Sequence, residues 1–496
     1  MKLYSEGKSY KLYEGNMLDM LDVIEPNSID SIVTDPPYEL NFMNKGWDNS
    51  GIAFQPDTWH KCYQVLKPGG YLLAFGGSRT SHRIACAIED AGFEIRDTIM
   101  WLYGSGFPKS MSVSKGLEAR EKLGNAGTRN KRLIEQACDT DEYTLKAPNN
   151  GIFGEIKEWT RKQYIPETEL VKKWEGWGTA LKPSYEPIIV ARKPFSGSLV
   201  DNVLKYGVGG LNIDECRIGD DEITTNGART NTLRGDTRTG KALGMFQERE
   251  ALNIDHIGRF PANTILTYDD EDYAEVCGGM PYTSSAGGET TMPDLRDVGA
   301  KSKSAIGIDK LSFGQVSNAD RKQYDYIAPA DSGSAARYFY CAKASKKDRD
   351  DGLDQLQTKS HAEINGRQEG SAGATRAYGG GTNPFLSVSS PRKNTHPTVK
   401  PTELMQYLIR LVTPNGGTVL DPFNGSGSTG KAVMYENREK DKGYKYIGIE
   451  LTPEYLPISK ARIEYASDPN NVITWEETDE DTGETNKVSY VEVSLF

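Results

Sequence analysis

The stretch GTVLDPFNGSGSTGKAVMYENR, residues 417–438, limits the fold more than any other part of the chain. A short apolar run ends in Asp421, turns through closely spaced glycines and continues with helical patterning. Strand, glycine turn and helix open a β-α unit, and a series of such units builds a parallel sheet covered by helices. The same alternation fills the first hundred residues: SYKLYEG, a helix-like MLDMLDVI, SIDSIVTD, a helix-like TWHKCYQVL, GYLLAFGG, a helix-like SHRIACAIEDAG, then FEIRDTIMWLY. It returns after residue 391 with TELMQYLIRLVT, GTVLDPF, STGKAVMYENR, YKYIGIE and PEYLPISKARIEY. EPIIVARK, 186–193, reads as one more strand, separated from FEIRDTIMWLY by a polar, partly basic insertion expected to lie outside the sheet. With 496 residues the chain has room for two to four domains.

The glycine turn poses a chemical question. From Gly425 to Lys431 it reads G-x-x-x-x-G-K, which is a phosphate loop without its last residue. That residue must be Ser or Thr to ligand Mg²⁺, and Ala432 stands there. Asp421 also ends the strand facing any bound ligand, and its charge would repel a triphosphate. Both observations favour a ligand that carries a cation. S-adenosylmethionine fits, since its ammonium and sulfonium are positive and Gly425 and Gly427 would let the backbone approach closely. Downstream, YKYIGIE ends in Glu450, an acid placed to hydrogen-bond both ribose hydroxyls. Strand, Asp-Pro-Phe and a glycine turn opening a helix resemble the donor loop of class I methyltransferases.

A second motif, IVTDPPYEL, places Asp35, Pro36, Pro37 and Tyr38 at the end of an apolar strand. As mere structure it is a proline turn with a capping Asp. Its chemistry suits an exocyclic amine, whose lone pair is delocalised into a ring. Asp35 and the Pro36 carbonyl can draw the amine hydrogens out of plane, the two prolines stiffen the loop, and Tyr38 can stack on the base.

The two motifs together resemble the beta-class amino-group DNA methyltransferases, which act on N6 of adenine or N4 of cytosine. The resemblance covers about residues 1–110, 174–195 and 391–465. It implies a class I, Rossmann-like sheet, circularly permuted, with a large inserted target-recognition region. The two motifs then lie on adjacent strands at the topological switch point. The expected parts are a catalytic half at 1–110, a basic polar insertion at 111–173, a returning strand at 174–195, a target-recognition region with flexible loops at 196–390, a donor-binding half at 391–465 and an acidic hairpin at 466–496, turning at Thr482-Gly483. The family also implies donor contacts from HPTVKP, here Thr398 and Lys400; as plain structure that segment is a helix start capped by Thr402. Phe423 and Ser426 join the donor set by the same resemblance. Where the family has Gly-Asp meeting the donor's adenine amine, this chain has Gly15-Asn16, and Asn16 can still accept through its side-chain carbonyl.

The implied reaction transfers a methyl group from S-adenosyl-L-methionine to N6 of adenine in double-stranded DNA by base flipping. N4 of cytosine is the alternative; in the family that activity usually accompanies Ser-Pro-Pro-Tyr. RNA or protein methylation and a phosphate-loop ATPase are weaker readings. The chain has no Pro-Cys pair, so the covalent route to C5-methylcytosine lacks its usual nucleophile. His60, Cys62, His82 and Cys86 suggest no metal site, because residues two apart on a helix do not share a face.

The net charge of -11 argues at first against DNA. Residues 466–496, however, hold eight of the acids and one Lys, while residues 101–173 carry thirteen Lys/Arg against ten Asp/Glu. A DNA contact by Arg129, Lys131 and Arg132 competes with an ordinary solvated face, and Trp174 and Trp177 read as packing residues. Six scattered cysteines, no membrane-length apolar run and no leader at MKLYSEGKSY point to a cytoplasmic protein with reduced thiols. A homodimer and a restriction endonuclease partner encoded elsewhere stay open.

Overall fold

The structure is a computed structural model of the chain. It describes residues 2–40, 46–103, 110–124, 134, 138, 140–148, 156–226, 253–268, 282–285, 331–334, 340–343, 346–359, 393–471, 474–478 and 485–489. Two compact units form, one from residues 1–217, 260–270 and 340–496, the other from 218–259 and 271–339.

The first unit is built on a ten-stranded sheet. Its strands, in chain order, are β1 (Lys2–Glu6), β2 (Tyr10–Glu14), β3 (Ile29–Thr34), β4 (Leu66–Phe75), β5 (Glu94–Tyr103), β6 (Tyr185–Arg192), β7 (Thr264–Tyr268), β8 (Tyr340–Lys343), β9 (Thr418–Asp421) and β10 (Lys445–Glu450). Across the sheet they run β1-β2-β10-β9-β3-β4-β6-β5-β7-β8. Only β1 and β6 are antiparallel to their neighbours.

Central strands of this sheet are apolar on both faces because helices cover both. Val33 and Leu73 turn to one face, joining Leu404, Leu408 and Val433 from the helices Thr402–Val412 and Ser428–Lys440. Ile32 and Leu72 turn to the other, packing with Trp59, Val65, Ile84 and Ile88 from the helices Pro56–Val65 and Ser81–Asp90. Adjacent residues of one strand therefore serve two cores.

EPIIVARK enters as β6, lodged between β4 and β5. Residues 140–148 and 156–164, in the expected insertion, pair as a separate antiparallel hairpin. Residues 474–478 and 485–489 pair likewise, and the expected turn at Thr482-Gly483 lies outside the described residues. So do Arg129, Lys131, Arg132 and almost all of the polar run 360–395.

The boundary expected at 196 lies elsewhere. Within the stretch 196–390 the chain re-enters the main sheet twice, β7 pairing in parallel with β5 and β8 with β7. The cause is the bare edge of β5, which the short apolar runs TIL and YFYCA can extend. The second unit holds two antiparallel strand pairs of its own, 218–226 with 253–259 and 282–285 with 331–334.

Candidate active site

The order of the sheet reverses between β9 and β3: from β9 the chain continues to β10 on one side, and from β3 to β4 on the other. Such a switch point leaves a crevice at the carboxyl ends of the two strands. Asp421 ends β9 and Asp35 follows β3, so the two motifs meet there. Thr34 Oγ1 donates to Asp421 Oδ1 at 2.7 Å across 387 residues of sequence. A cavity of about 1300 Å³ opens at this point. Asn16, Asp35, Pro36, Pro37, Tyr38, Thr398, Lys400, Asp421, Phe423, Gly425, Ser426 and Glu450 all line it. Gly427 does not.

At one end of the cavity the glycine loop is fixed from all sides. Gly425 and Gly427 adopt left-handed backbone, with φ of 51° and 75°, which glycine reaches without strain. Gly425 N donates to Glu450 Oε2 at 2.7 Å, and Thr452 N to Glu450 Oε1 at 2.7 Å. Arg462 donates to the carbonyl of Ser426. A Cβ on Gly425 would stand 2.9 Å from His396 Nε2, whereas one on Gly427 would stand 2.5 Å from Ser459 Oγ. Gly425 thus keeps the wall of the cavity thin. Gly427 instead lets the helix Leu456–Ser467 pack behind the loop, which corrects the expectation that it faces the ligand.

Asp421 is buried and accepts from Thr34, Thr429 and the Phe423 amide. Burial outweighs those bonds and pushes its carboxyl up to about 6. Burial also raises Glu450, against the amides of Thr452 and Gly425. Two carboxylates short of compensating charge face the cavity here, a match for a cationic ligand. Lys431 takes no part. It is fully buried and donates to Asp348 Oδ1 at 2.6 Å and to Asp351 Oδ2 at 3.2 Å. The lysine that a phosphate loop would aim at its ligand is spent behind the loop.

Asn16 lines the cavity, and its carbonyl oxygen caps the helix Met17–Leu21 by accepting from Leu18 N at 3.0 Å. Burial pushes the His396 imidazole down to about 4; its Nδ1 pairs with the Thr398 carbonyl and its ring stands edge-on to Tyr455.

At the other end, Lys400 Nζ donates to Asp35 Oδ2 at 2.6 Å and lies 3.5 Å from Glu186 Oε2. Its ammonium sits 5.4 Å from the Tyr38 ring centre and 5.0 Å from that of Phe75. Burial works against that ammonium, but Asp35 and Glu186 outweigh it and hold its pKa above the ordinary lysine value. Lys400, carried over as a donor contact, therefore pairs with the DPPY carboxylate. Asp35 Oδ1 is buried with no hydrogen-bond partner among the described residues. An acceptor without a donor is costly in a fold and marks a place for a ligand hydrogen.

Three groups here were missing from the sequence reading. Glu186, at the start of β6, accepts from the Tyr38 hydroxyl at 2.7 Å. Asp348 accepts from Thr402 N at 2.8 Å, capping the helix that Thr402 was expected to cap itself. Arg349 donates to the His396 carbonyl at 2.7 Å and so holds the HPTVKP segment. Their only signal was an acid opening an apolar strand and a charged run, DRDD, that reads as solvated surface.

A largely parallel sheet with one antiparallel strand lodged between β4 and β5, and its site at the ends of the two central strands, defines a class I methyltransferase fold. The DNA methylase family model matches residues 29–208 and 295–461, and the chain belongs to this family of N6-adenine and N4-cytosine methyltransferases. Type II methyltransferase M.HindIII of Haemophilus influenzae is 21% identical over 245 residues, 40% of this chain and 64% of its own length, so the chain spans less than two thirds of it. Type II methyltransferase M2.LlaDCHI of Lactococcus lactis subsp. cremoris is 25% identical over 235 residues, 42% of this chain and 82% of its own length. The solved PvuII DNA methyltransferase (cytosine-N4-specific) aligns with 93% of this chain and 88% of its own at 12% identity, with a TM-score of 0.34. Among the described residues no helix is long and apolar enough to cross a membrane.

Proposed function

We propose that this chain transfers a methyl group from S-adenosylmethionine to the N6 amino group of adenine in double-stranded DNA, with the target base turned out of the duplex into the cavity. The observation that carries this reading is the buried, unpartnered Asp35 Oδ1 beside Tyr38, in one cavity with the acidic loop of Asp421 and Glu450. S-adenosylmethionine supplies the methyl group when bound. Asp421 and Glu450 give its cationic and hydroxyl groups acceptors, and Gly425 leaves it room. Asp35 Oδ1 accepts a hydrogen from the adenine amine, which frees the nitrogen lone pair for attack, and takes the proton that the nitrogen sheds once methylated. Tyr38 holds the base by stacking. No covalent enzyme intermediate is needed, so positioning and fixed charge supply the catalysis. On this reading the chain works on DNA in the cytoplasm.

The Asp that opens the motif supports adenine over N4 of cytosine, where the same groups would do the same work. DNA from a methylation-free host expressing the chain, digested to nucleosides and analysed by mass spectrometry, decides between them. N6-methyladenine is expected. N4-methylcytosine would overturn the choice of base, and neither product would overturn the activity.

A further inference from the structure

Glu186 belongs to neither motif, yet it touches the catalytic end of the cavity on three sides. Its Oε2 accepts from the Tyr38 hydroxyl at 2.7 Å, and its Oε1 from the Tyr103 hydroxyl at 3.4 Å. Lys400 Nζ stands 3.5 Å from its Oε2 and 2.6 Å from Asp35 Oδ2, so one ammonium bridges both carboxylates. The Lys400 side chain is only 7% exposed, and Glu186 about 20%. A neutral acceptor would satisfy Tyr38 equally well and spare the cost of a second acid beside Asp35. Partly buried ion pairs of this kind contribute little net stability, and what they fix is geometry.

We propose that Glu186 is a positioning residue for methyl transfer: its carboxylate ties the Tyr38 hydroxyl directly, and the Asp35 carboxylate through Lys400, into one unit. The stacking ring and the amine acceptor then keep a fixed relation to the base. Lys400 holds Asp35 Oδ2, which leaves Oδ1 as the oxygen presented to the amine. Because Glu186 lies within β6, paired with Trp101 of β5, rigid backbone sets this relation, not the loop that follows β3.

The inference rests on the amine-methylation reading, and one set of measurements separates the two. The full chain is assayed under single-turnover conditions with radiolabelled S-adenosylmethionine on genomic DNA from a methylation-free host, and donor affinity is measured by calorimetry. Glu186→Ala should slow transfer by about tenfold or more while donor affinity stays within about twofold. Glu186→Gln, whose amide oxygen still accepts from Tyr38, should recover part of the rate. Tyr38→Phe keeps the ring and loses only the tether, so it too should slow transfer several-fold. Wild-type rates in Glu186→Ala or Tyr38→Phe overturn the inference, as does a Gln variant no faster than Ala. Should Glu186→Ala fail to fold, Tyr38→Phe alone decides. A wild-type chain that methylates no DNA overturns the functional reading itself.

Discussion

Asp421 is a buried carboxyl through which pH would act on donor binding under the proposed function. Its pKa is raised from 3.8 to about 6, burial being the main cause. The folded state therefore favours the protonated acid, and ionising it costs stability as pH rises from about 4 through 6. On the proposed reading a cationic donor binds the ionised form and reverses that cost. Donor affinity measured by calorimetry should accordingly fall about tenfold between pH 7 and pH 5, where only a tenth of Asp421 is ionised. His396, with its pKa at about 4, stays neutral across that window and adds nothing. Glu450, also raised, acts in the same direction. Asp421→Asn should make the fall shallower, and an unchanged pH profile in that variant would take Asp421 out of donor binding. At the other end, Asp35→Ala should leave donor affinity intact and lower methyl transfer by about a hundredfold or more, since the amine loses its acceptor. Residual N6-methyladenine at the wild-type level would refute that mechanism.

Among the elements, the glycine loop and the helix after it are held by parts of the chain far away in sequence. The two glycines of the loop have different duties, and replacing each should separate them. Gly427→Ala drives a Cβ into Ser459 and into left-handed backbone, so it should cost about 1–3 kcal/mol of stability, seen as a lower urea midpoint. Gly425→Ala shares the backbone strain but also fills space against His396 at the cavity wall, so it should weaken donor binding in the folded protein more than Gly427→Ala does. Equal donor affinities in the two variants would reject this division. Asp348 joins Thr402, Lys431 and Arg462. Asp348→Ala removes the nearer carboxylate from the fully buried Lys431, which keeps Asp351, and a more distant one from Arg462, and should destabilise the fold by up to about 3 kcal/mol in the same assay.

For the molecule as a whole, the balance of charge matters more than its sum. The chain carries -11, but the stretch from 472 to 496 alone holds seven Asp/Glu and one Lys. A polyanion that comes near this charge meets repulsion that is screened over about 10 Å at 0.1 M salt. A chain truncated before residue 472 should therefore bind duplex DNA more tightly at low salt, by fluorescence anisotropy, and the gap should close as salt rises. Equal affinities at low salt would place that charge away from the DNA.

The sequence by itself determined the βα order, the strands that carry both motifs and the acids at their ends, because these are local signals: apolar periodicity, a glycine turn, an Asp after a strand. It also weighed against a phosphate loop through Ala432, a local fact. Only tertiary structure decided who pairs with whom. Lys400 looked like a donor contact and is bound to Asp35; Lys431 closed an incomplete phosphate-loop pattern and is bound to Asp348; Gly427 looked like cavity wall and is helix packing. Glu186 and Asp348 gave only weak signals, an acid opening an apolar strand and a charged run that reads as solvated surface. Each of these depends on a partner 32 (Gly427 to Ser459) to 365 (Lys400 to Asp35) residues away, brought close by the sheet, and no local pattern encodes a partner at that distance. The same holds for β7 and β8, whose place was decided by the open edge of β5 and not by their own short apolar runs.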